Sequence, residues 1–161
     1  MGVVTLALLF IGHSYVANAA PLIFGGGRAL DGDRKFYDGQ PLFGRHKTVR
    51  GLFAGILAGT LVGLGESFAD SRLALAGFAI SLGAVSGDLL GAFVKRRLKI
   101  DPGRSFPFLD QLDFVLGGLL FGYLLFPIPL VSALIVVLVT PPVHLITNYG
   151  AYVLGLKKTR W

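Results

Sequence analysis

Three aspartates stand apart in a strongly apolar chain: Asp88 in "SGDLLGAFVKRRLK" (residues 86–99), and Asp110 and Asp113 in "FPFLDQLDFVLGG" (residues 106–118). Asp88 precedes Lys95 by seven residues. In a helix rising about 1.5 Å per residue it lies roughly 10 Å below the basic cluster, on one face with Lys95 and, approximately, Lys99. Such a carboxylate under cations is either a structural ion pair or half of a metal and phosphate site. Asp110 and Asp113, three apart at a helix start, point to one side, where the positive end of the helix favours them. Asp is also a good N-cap, but one cap needs one Asp. With Asp88 they give three carboxylates at one membrane face. A hard cation such as Mg²⁺ is held by one or two carboxylates, with water and substrate phosphate completing its shell. Lysines and arginines around it would grip the remaining phosphate oxygens.

Further basic residues precede the next apolar stretch. "GRHKTVRG" (44–51) places Arg45, Lys47, Thr48 and Arg50 at a helix start, where backbone amides bind anions. By itself this is also the ordinary basic flank of a membrane helix. "GGGR" (25–28) is a weak phosphate-loop pattern that a flexible exit from a helix explains equally well.

The elements that must position these groups are membrane spans. The chain has 161 residues, of which 53% are hydrophobic, with a mean hydropathy of +0.70. A soluble domain of this size needs a more polar surface. The expected fold is an all-α integral membrane protein, one domain over 1–161, with five spans at roughly 2–24, 52–69, 73–95, 111–128 and 130–155. "ANAA" (17–20) resembles a signal-peptidase site, but no basic residue precedes the first apolar run, so this run is read as a span.

The cations fall in blocks: Arg28, Arg34, Lys35, Arg45, Lys47 and Arg50; then Lys95, Arg96, Arg97, Lys99 and Arg104; then Lys157, Lys158 and Arg160. Only Arg72 lies on the opposite side. The positive-inside rule then puts the N-terminus outside, the C-terminus in the cytoplasm and the carboxylates at the cytoplasmic face of a multi-pass cell-membrane protein. The net charge of +6 belongs to that face and suits anionic headgroups or a polyanionic ligand. The segment at about 25–50 exceeds what joining two helices requires, and its Phe36, Tyr37, Leu42 and Phe43 predict a structured cap over the mouth of the bundle.

Gly51, Gly55, Gly59 and Gly63 form a bare strip suited to close helix packing or to a subunit interface. Pro141 and Pro142 must kink or loosen the last span. The chain has no cysteine, which excludes disulfides, thiolate metal sites and thiol nucleophiles. The remaining intramembrane polar residues are His13, Asn18, Glu66, His144, Thr147 and Asn148. Asn18 and Asn148 lie nearest the cytoplasmic side and can line the same cavity, with His144 nearer mid-span. Interhelical hydrogen bonding is the commoner role of such residues. His13 and Glu66 fall toward the outer face, away from the chemistry.

Residues 86–113, "SGDLLGAFVKRRLKIDPGRSFPFLDQLD", resemble the signature of the CTP-dependent cytidylyltransferases that make CDP-diacylglycerol: Gly-Asp, Lys-Arg, a gap with Asp and Gly, a Pro and a terminal Asp-x-x-Asp. "GRHKTVRG" resembles the upstream Lys-Thr-x-x-Gly element. The five spans, "NAAP" (18–21) and "HLITNYGAYVLGLK" (144–157) are similar to the archaeal branch, the CDP-archaeol synthases. The resemblance implies transfer of CMP from CTP to 2,3-bis-O-geranylgeranylglycerol 1-phosphate, releasing pyrophosphate. It implies Asp88, Asp110 and Asp113 as ligands of Mg²⁺, Lys95 and Arg96 facing phosphates, and Lys47 and Thr48 holding the triphosphate. Asp88, Asp110, Asp113 and Lys95 are the catalytic candidates; Lys47, Thr48, Arg45, Arg50, Arg96, Asn18 and Asn148 are those for substrate. The expected partners are CTP, a membrane lipid phosphate and the bilayer, with no nucleic acid.

The sequence also departs from the bacterial pattern. "FPFL" replaces a His-Gly-Gly before the last aspartates, Val49 stands where Trp is usual, and Arg45 where Lys or Gly is common. Phosphatidic acid is the alternative lipid, and a small transporter using Asp88 and His144 is the alternative of another class. A CDP-alcohol phosphotransferase fits less well, because "DGDR" (31–34) lacks the rest of its signature and the last two aspartates are three apart rather than four.

Overall fold

A computed structural model describes residues 2–156. It is all-helical: α1 (Val3–Phe24), α2 (Val49–Glu66), α3 (Arg72–Arg97), α4 (Leu109–Leu125) and α5 (Leu130–Val153). Helices α1, α2, α3 and α5 are long and apolar enough to cross a membrane. The expected fourth span is shorter than the others, since α4 has 17 residues, about 25 Å of helix against a hydrocarbon core of about 30 Å. Prolines 127 and 129 follow its end, and it packs among α3, α1 and α5, with Phe114 and Val115 fully buried.

Each boundary has a local cause. α2 begins three residues earlier than hydropathy suggests. Thr48 Oγ1 caps it, accepting from Gly51 N at 3.0 Å, and also accepts from Gly26 N at 3.2 Å, which ties the end of α1 to the start of α2. α3 ends in a Schellman arrangement: Ile100 N–H donates to Lys95 O and Lys99 N–H to Arg96 O. Lys99 takes the left-handed position at φ 57°, where glycine is usual. Lys99 is therefore off the helix, and the face expected to carry Asp88, Lys95 and Lys99 ends at Lys95. α5 runs unbroken through Pro141 and Pro142, whose missing amides leave the carbonyls of Val137 and Leu138 without helical donors.

Glycine governs the interhelical distances. Gly51, Gly55, Gly59 and Gly63 are buried within the chain, not at a subunit interface. A Cβ on Gly55 would lie 2.6 Å from Ala17 O of α1, and one on Gly63 2.5 Å from Leu73 O of α3. A second strip of the same period joins α3 to α4. A Cβ on Gly83 would meet Gly117 O, and one on Gly87 would meet Asp113 O.

The segment between α1 and α2 folds over the basic end, as its aromatic content predicts. Asp31 is its internal knot, accepting from the backbone N–H groups of Asp33 (3.1 Å), Phe43 (3.0 Å) and Gly44 (2.9 Å). Arg97 fastens the segment to α3. Its guanidinium lies 4.7 Å from the ring centres of both Phe36 and Phe93, its Nη2 donates to Pro41 O at 2.7 Å, and its Nε is 3.0 Å from Asp38 Oδ2. The two basic blocks thus meet at one end of the bundle. The third, Lys157, Lys158 and Arg160, lies outside the described residues. At the opposite end Arg72 pairs with Asp70 at 2.7 Å.

These contacts give two tests. Gly63→Ala should cost about 1–3 kcal/mol by overpacking against backbone that cannot yield. Gly65→Ala, with nothing within 4 Å of its would-be Cβ, should be neutral or slightly stabilising; thermal unfolding in detergent distinguishes them. Burial works to raise the Asp31 pKa, but the N–H groups of Gly44, Phe43 and Asp33 outweigh it and hold it below the ordinary carboxylate value. Its folded pKa being depressed, this stabilisation is present above the ordinary value and lost as pH falls through the lowered one. Tryptic cleavage at Arg34 or Lys35 should therefore rise in Asp31→Asn at neutral pH. Unchanged cleavage would show that the segment is held by Arg97 alone.

Candidate active site

A cavity of about 940 Å³ opens at the basic end, lined by all five helices and by the segments 43–48 and 102–105. It is within the usual size range of ligand sites and near its upper limit. Asp88, Asp110 and Asp113 all line it.

Lys47 and Asp88, 41 residues apart in sequence, form an ion pair, with Nζ 2.6 Å from Oδ1 and 2.5 Å from Oδ2. Lys95 Nζ donates to both oxygens of Asp110 at 2.9 Å. Asp110 also builds the turn that launches α4: its Oδ2 accepts from Phe106 N at 2.8 Å, and the intervening Phe108 sits at φ 65°, a strained conformation for a bulky residue. Asp113 lies over Gly91, where a Cβ would come 2.0 Å from its Oδ2. Asp110 and Asp113 therefore face the same helix, α3, at Lys95 and Gly91, one turn apart. They do not converge with Asp88 into a preformed cage: among the described residues no group of three or more His, Cys, Asp or Glu is close enough to hold a metal ion. Two of the three expected metal carboxylates are instead held by lysines.

Arg96 is the most telling cation. It is 3% exposed and lines the cavity, and its Nε and Nη1 have no hydrogen-bond partner among the described residues. A buried guanidinium left unpaired is costly, so this one suits an anionic ligand. Thr48 also lines the cavity. Its oxygen accepts from Gly26 and Gly51 N–H, leaving the hydroxyl hydrogen as its one remaining donor. Arg45 stands at the rim, exposed and paired with Asp33 at 3.0 Å. Arg50 is exposed and is not among the residues lining the cavity.

Asn18 of α1 and Asn148 of α5 line the cavity, the latter 3.2 Å from His144 Nδ1. His46, Arg104, Ser105 and Tyr15 also line it and were not singled out in the sequence. Tyr15 donates to Thr140 O at 2.9 Å and sets its ring edge-on to Phe114. His13 and Glu66 lie outside the cavity lining, with His13 Nε2 3.4 Å from Glu66 Oε2.

Gly91→Ala would push Asp113 from its place. A displacement of about 1 Å at a catalytic group costs on the order of 10²-fold in rate, so this variant should lose activity by that order while remaining folded. Full activity in Gly91→Ala would remove Asp113 from the site.

A family model described as "CarS-like: CDP-archaeol synthase" matches residues 1–161. The CDP-archaeol synthase of Methanocaldococcus jannaschii is 44% identical over 169 residues, covering 96% of each chain. That of Thermofilum pendens is 44% identical, covering 99% of this chain and 82% of its own; that of Aeropyrum pernix is 44% identical, covering 96% and 91%. A solved structure described as an intramembrane enzyme for archaeal membrane lipid biosynthesis superposes with a TM-score of 0.83. It is 39% identical and covers 90% of this chain and 94% of its own.

Proposed function

The chain belongs to the CDP-archaeol synthase family, and from that premise we propose that its basic-end cavity carries out the family reaction on the cytoplasmic side of the cell membrane. The enzyme is a CTP-dependent cytidylyltransferase that forms CDP-archaeol in archaeal lipid biosynthesis. The lipid phosphate substrate is 2,3-bis-O-geranylgeranylglycerol 1-phosphate. One of its phosphate oxygens attacks the α-phosphorus of CTP, the bond from that phosphorus to the β-phosphate oxygen breaks, and pyrophosphate leaves.

The observation that carries this reading is the buried guanidinium of Arg96, whose Nε and Nη1 find no hydrogen-bond partner among the described residues, in a cavity that also holds Lys47 and Lys95. Two anions must meet for the reaction to occur, and cations fixed in a partly desolvated cleft relieve their repulsion better than water does. The nucleophile is already ionised, so no covalent intermediate and no strong base are needed. This accords with the absence of a histidine from "FPFL". Arg96 and Lys47 grip the triphosphate, Lys95 steadies the developing pyrophosphate charge, and the Thr48 hydroxyl donates to a phosphate oxygen. The cavity walls hold the two phosphates in line. Asn18 and Asn148 contact substrate from the α1 and α5 sides.

The donor set suits a divalent metal: Asp88, Asp110 and Asp113 offer hard carboxylate oxygens to a common cavity, and Mg²⁺ binds through one or two such groups plus phosphate without a full protein cage. Mg²⁺ held there would neutralise phosphate charge.

Pyrophosphate release by purified protein from CTP and the unsaturated ether phosphate, beside phosphatidic acid and a metal-free control, tests the reading. Metal-dependent release with the ether lipid is expected. Release with phosphatidic acid alone would make the enzyme a CDP-diacylglycerol synthase, and no release from folded protein would point to transport. Asp88→Asn and Asp110→Asn should cut turnover by at least about 10²–10³-fold. Arg96→Ala should weaken CTP binding by about 10–100-fold, the value of a charge-assisted hydrogen bond.

A further inference from the structure

We propose that the turn at residues 34–38 is an interfacial anchor: Tyr37 inserts among the headgroups around the basic end, and Arg34 and Lys35 bind anionic lipids there. The aromatic residues of the segment between α1 and α2 divide in their roles. Phe36 packs edge-on against Phe93 of α3, with ring centres 5.4 Å apart, and so fastens the segment to the bundle. Tyr37 does not, since it is 99% exposed, its ring touching only the edge of Phe36 at 5.0 Å between centres. Yet the backbone that carries it is fixed. Phe36 N–H donates to Gln40 O at 2.8 Å, Gly39 N–H to Phe36 O at 2.9 Å and Leu42 N–H to Arg34 O at 3.2 Å. Gly39, at φ 77°, closes the turn. An ordered turn thus holds a large aromatic side chain outward.

The level at which it is held is that of the membrane surface. α3 has 26 residues, about 39 Å of helix, against a hydrocarbon core of about 30 Å. Arg72 at one end and Lys95, Arg96 and Arg97 at the other bracket that core. Phe93 lies two residues inside Lys95, so Phe36 and the Tyr37 ring beside it fall at the boundary. Leu90 and Val94, next to Phe93 on α3, are exposed apolar residues, so the anchor continues the lipid-facing surface of the helix. Tyrosine is enriched at this depth, where its ring body is apolar and its hydroxyl is wet.

Charge selects the kind of lipid. The acidic residues of the segment are already engaged: Asp31 by backbone N–H groups, Asp33 by Arg45 at 3.0 Å and Asp38 by Arg97 at 3.0 Å. Arg34 and Lys35 are exposed and have no ion-pair partner among the described residues. Two such cations beside an outward aromatic ring match an anionic leaflet, each contributing about fivefold to membrane affinity.

Nanodiscs of phosphatidylcholine, with and without phosphatidylglycerol, test the anchor on the unmodified chain. Trypsin cuts after Arg34 or Lys35 and, as an internal reference at the same end, after the exposed Arg104. Cleavage at 34–35 relative to Arg104 should fall about tenfold when phosphatidylglycerol is added, and recover in high salt. An unchanged ratio overturns the proposal. In a second measurement Tyr37→Trp is made together with Trp161→Phe, which leaves one tryptophan in the chain. Its fluorescence should be quenched by lipid brominated near the headgroup and shielded from acrylamide in the water. Free quenching by acrylamide, with no effect of bromolipid, overturns the anchor and leaves the turn as a surface for a soluble partner. Adding Arg34→Ser and Lys35→Ser should remove the gain in bromolipid quenching that phosphatidylglycerol gives; a gain that survives overturns the role of the two cations. None of these readouts needs turnover, so the anchor stands or falls apart from the reaction proposed above.

Discussion

The closeness of α3 and α4 is the constraint on which the basic end depends. Glycines at 83, 87 and 91 face the backbone and side chains of 113 and 117 at distances where a Cβ would overlap carbonyl oxygen or carboxylate. That approach brings Asp113 against Gly91 and sets Asp110 opposite Lys95. Without it the carboxylates of α4 would stand a side chain's width farther from Gly91 and Lys95 of α3. In lipid, where apolar side chains gain little by leaving one membrane-like surface for another, such backbone proximity is a main source of helix adhesion. The contact that holds the bundle is therefore also the one that assembles the site.

The second organising feature is the fold of the segment between α1 and α2. Its order rests on the packing of Phe36 against Phe93 and on satisfied polar groups: the N–H donors on Asp31, and Arg97 held between two rings and a carbonyl. This order matters because the segment delivers Lys47 to Asp88 and lays Gly44 beside Arg96, whose Nη1 would be 3.9 Å from a Cβ there. The cations of the site come from two stretches of chain that only this folding brings together. Two of the carboxylates are neutralised, Asp88 by Lys47 and Asp110 by Lys95, while Asp113 and Arg96 have no ion-pair partner among the described residues.

Much of this was legible in the sequence, for definite reasons. Hydropathy over a helical period located all five helices to within a few residues, and most of the boundary shifts came from caps and turns, such as Thr48 at α2 and Lys99 after α3, that hydropathy does not register. The glycine strip of α2 was readable as a packing face. The equivalent strip of α3 has the same period and was passed over, because its significance lies in α4 rather than in its own spacing. Asp110 and Asp113 were readable as sharing a side. That Asp110 also ties the turn before α4 was not, because the bond depends on a positive φ at Phe108.

What the sequence determined by itself is the class of molecule and its reagents. Composition and charge distribution require helices in a bilayer with cations gathered at one end, and the spacing of carboxylates and basic residues is chemistry suited to phosphate. These properties are local, readable from a few turns of chain. Only the tertiary structure decided which charges neutralise one another and which do not. Lys47 finds Asp88 across 41 residues, Lys95 takes Asp110, and Arg96 is buried with its Nε and Nη1 unpartnered among the described residues. Pairing of this kind depends on distances of a few ångströms between separate helices. Those distances follow from how closely glycine lets backbones approach, and no periodicity within one segment encodes them.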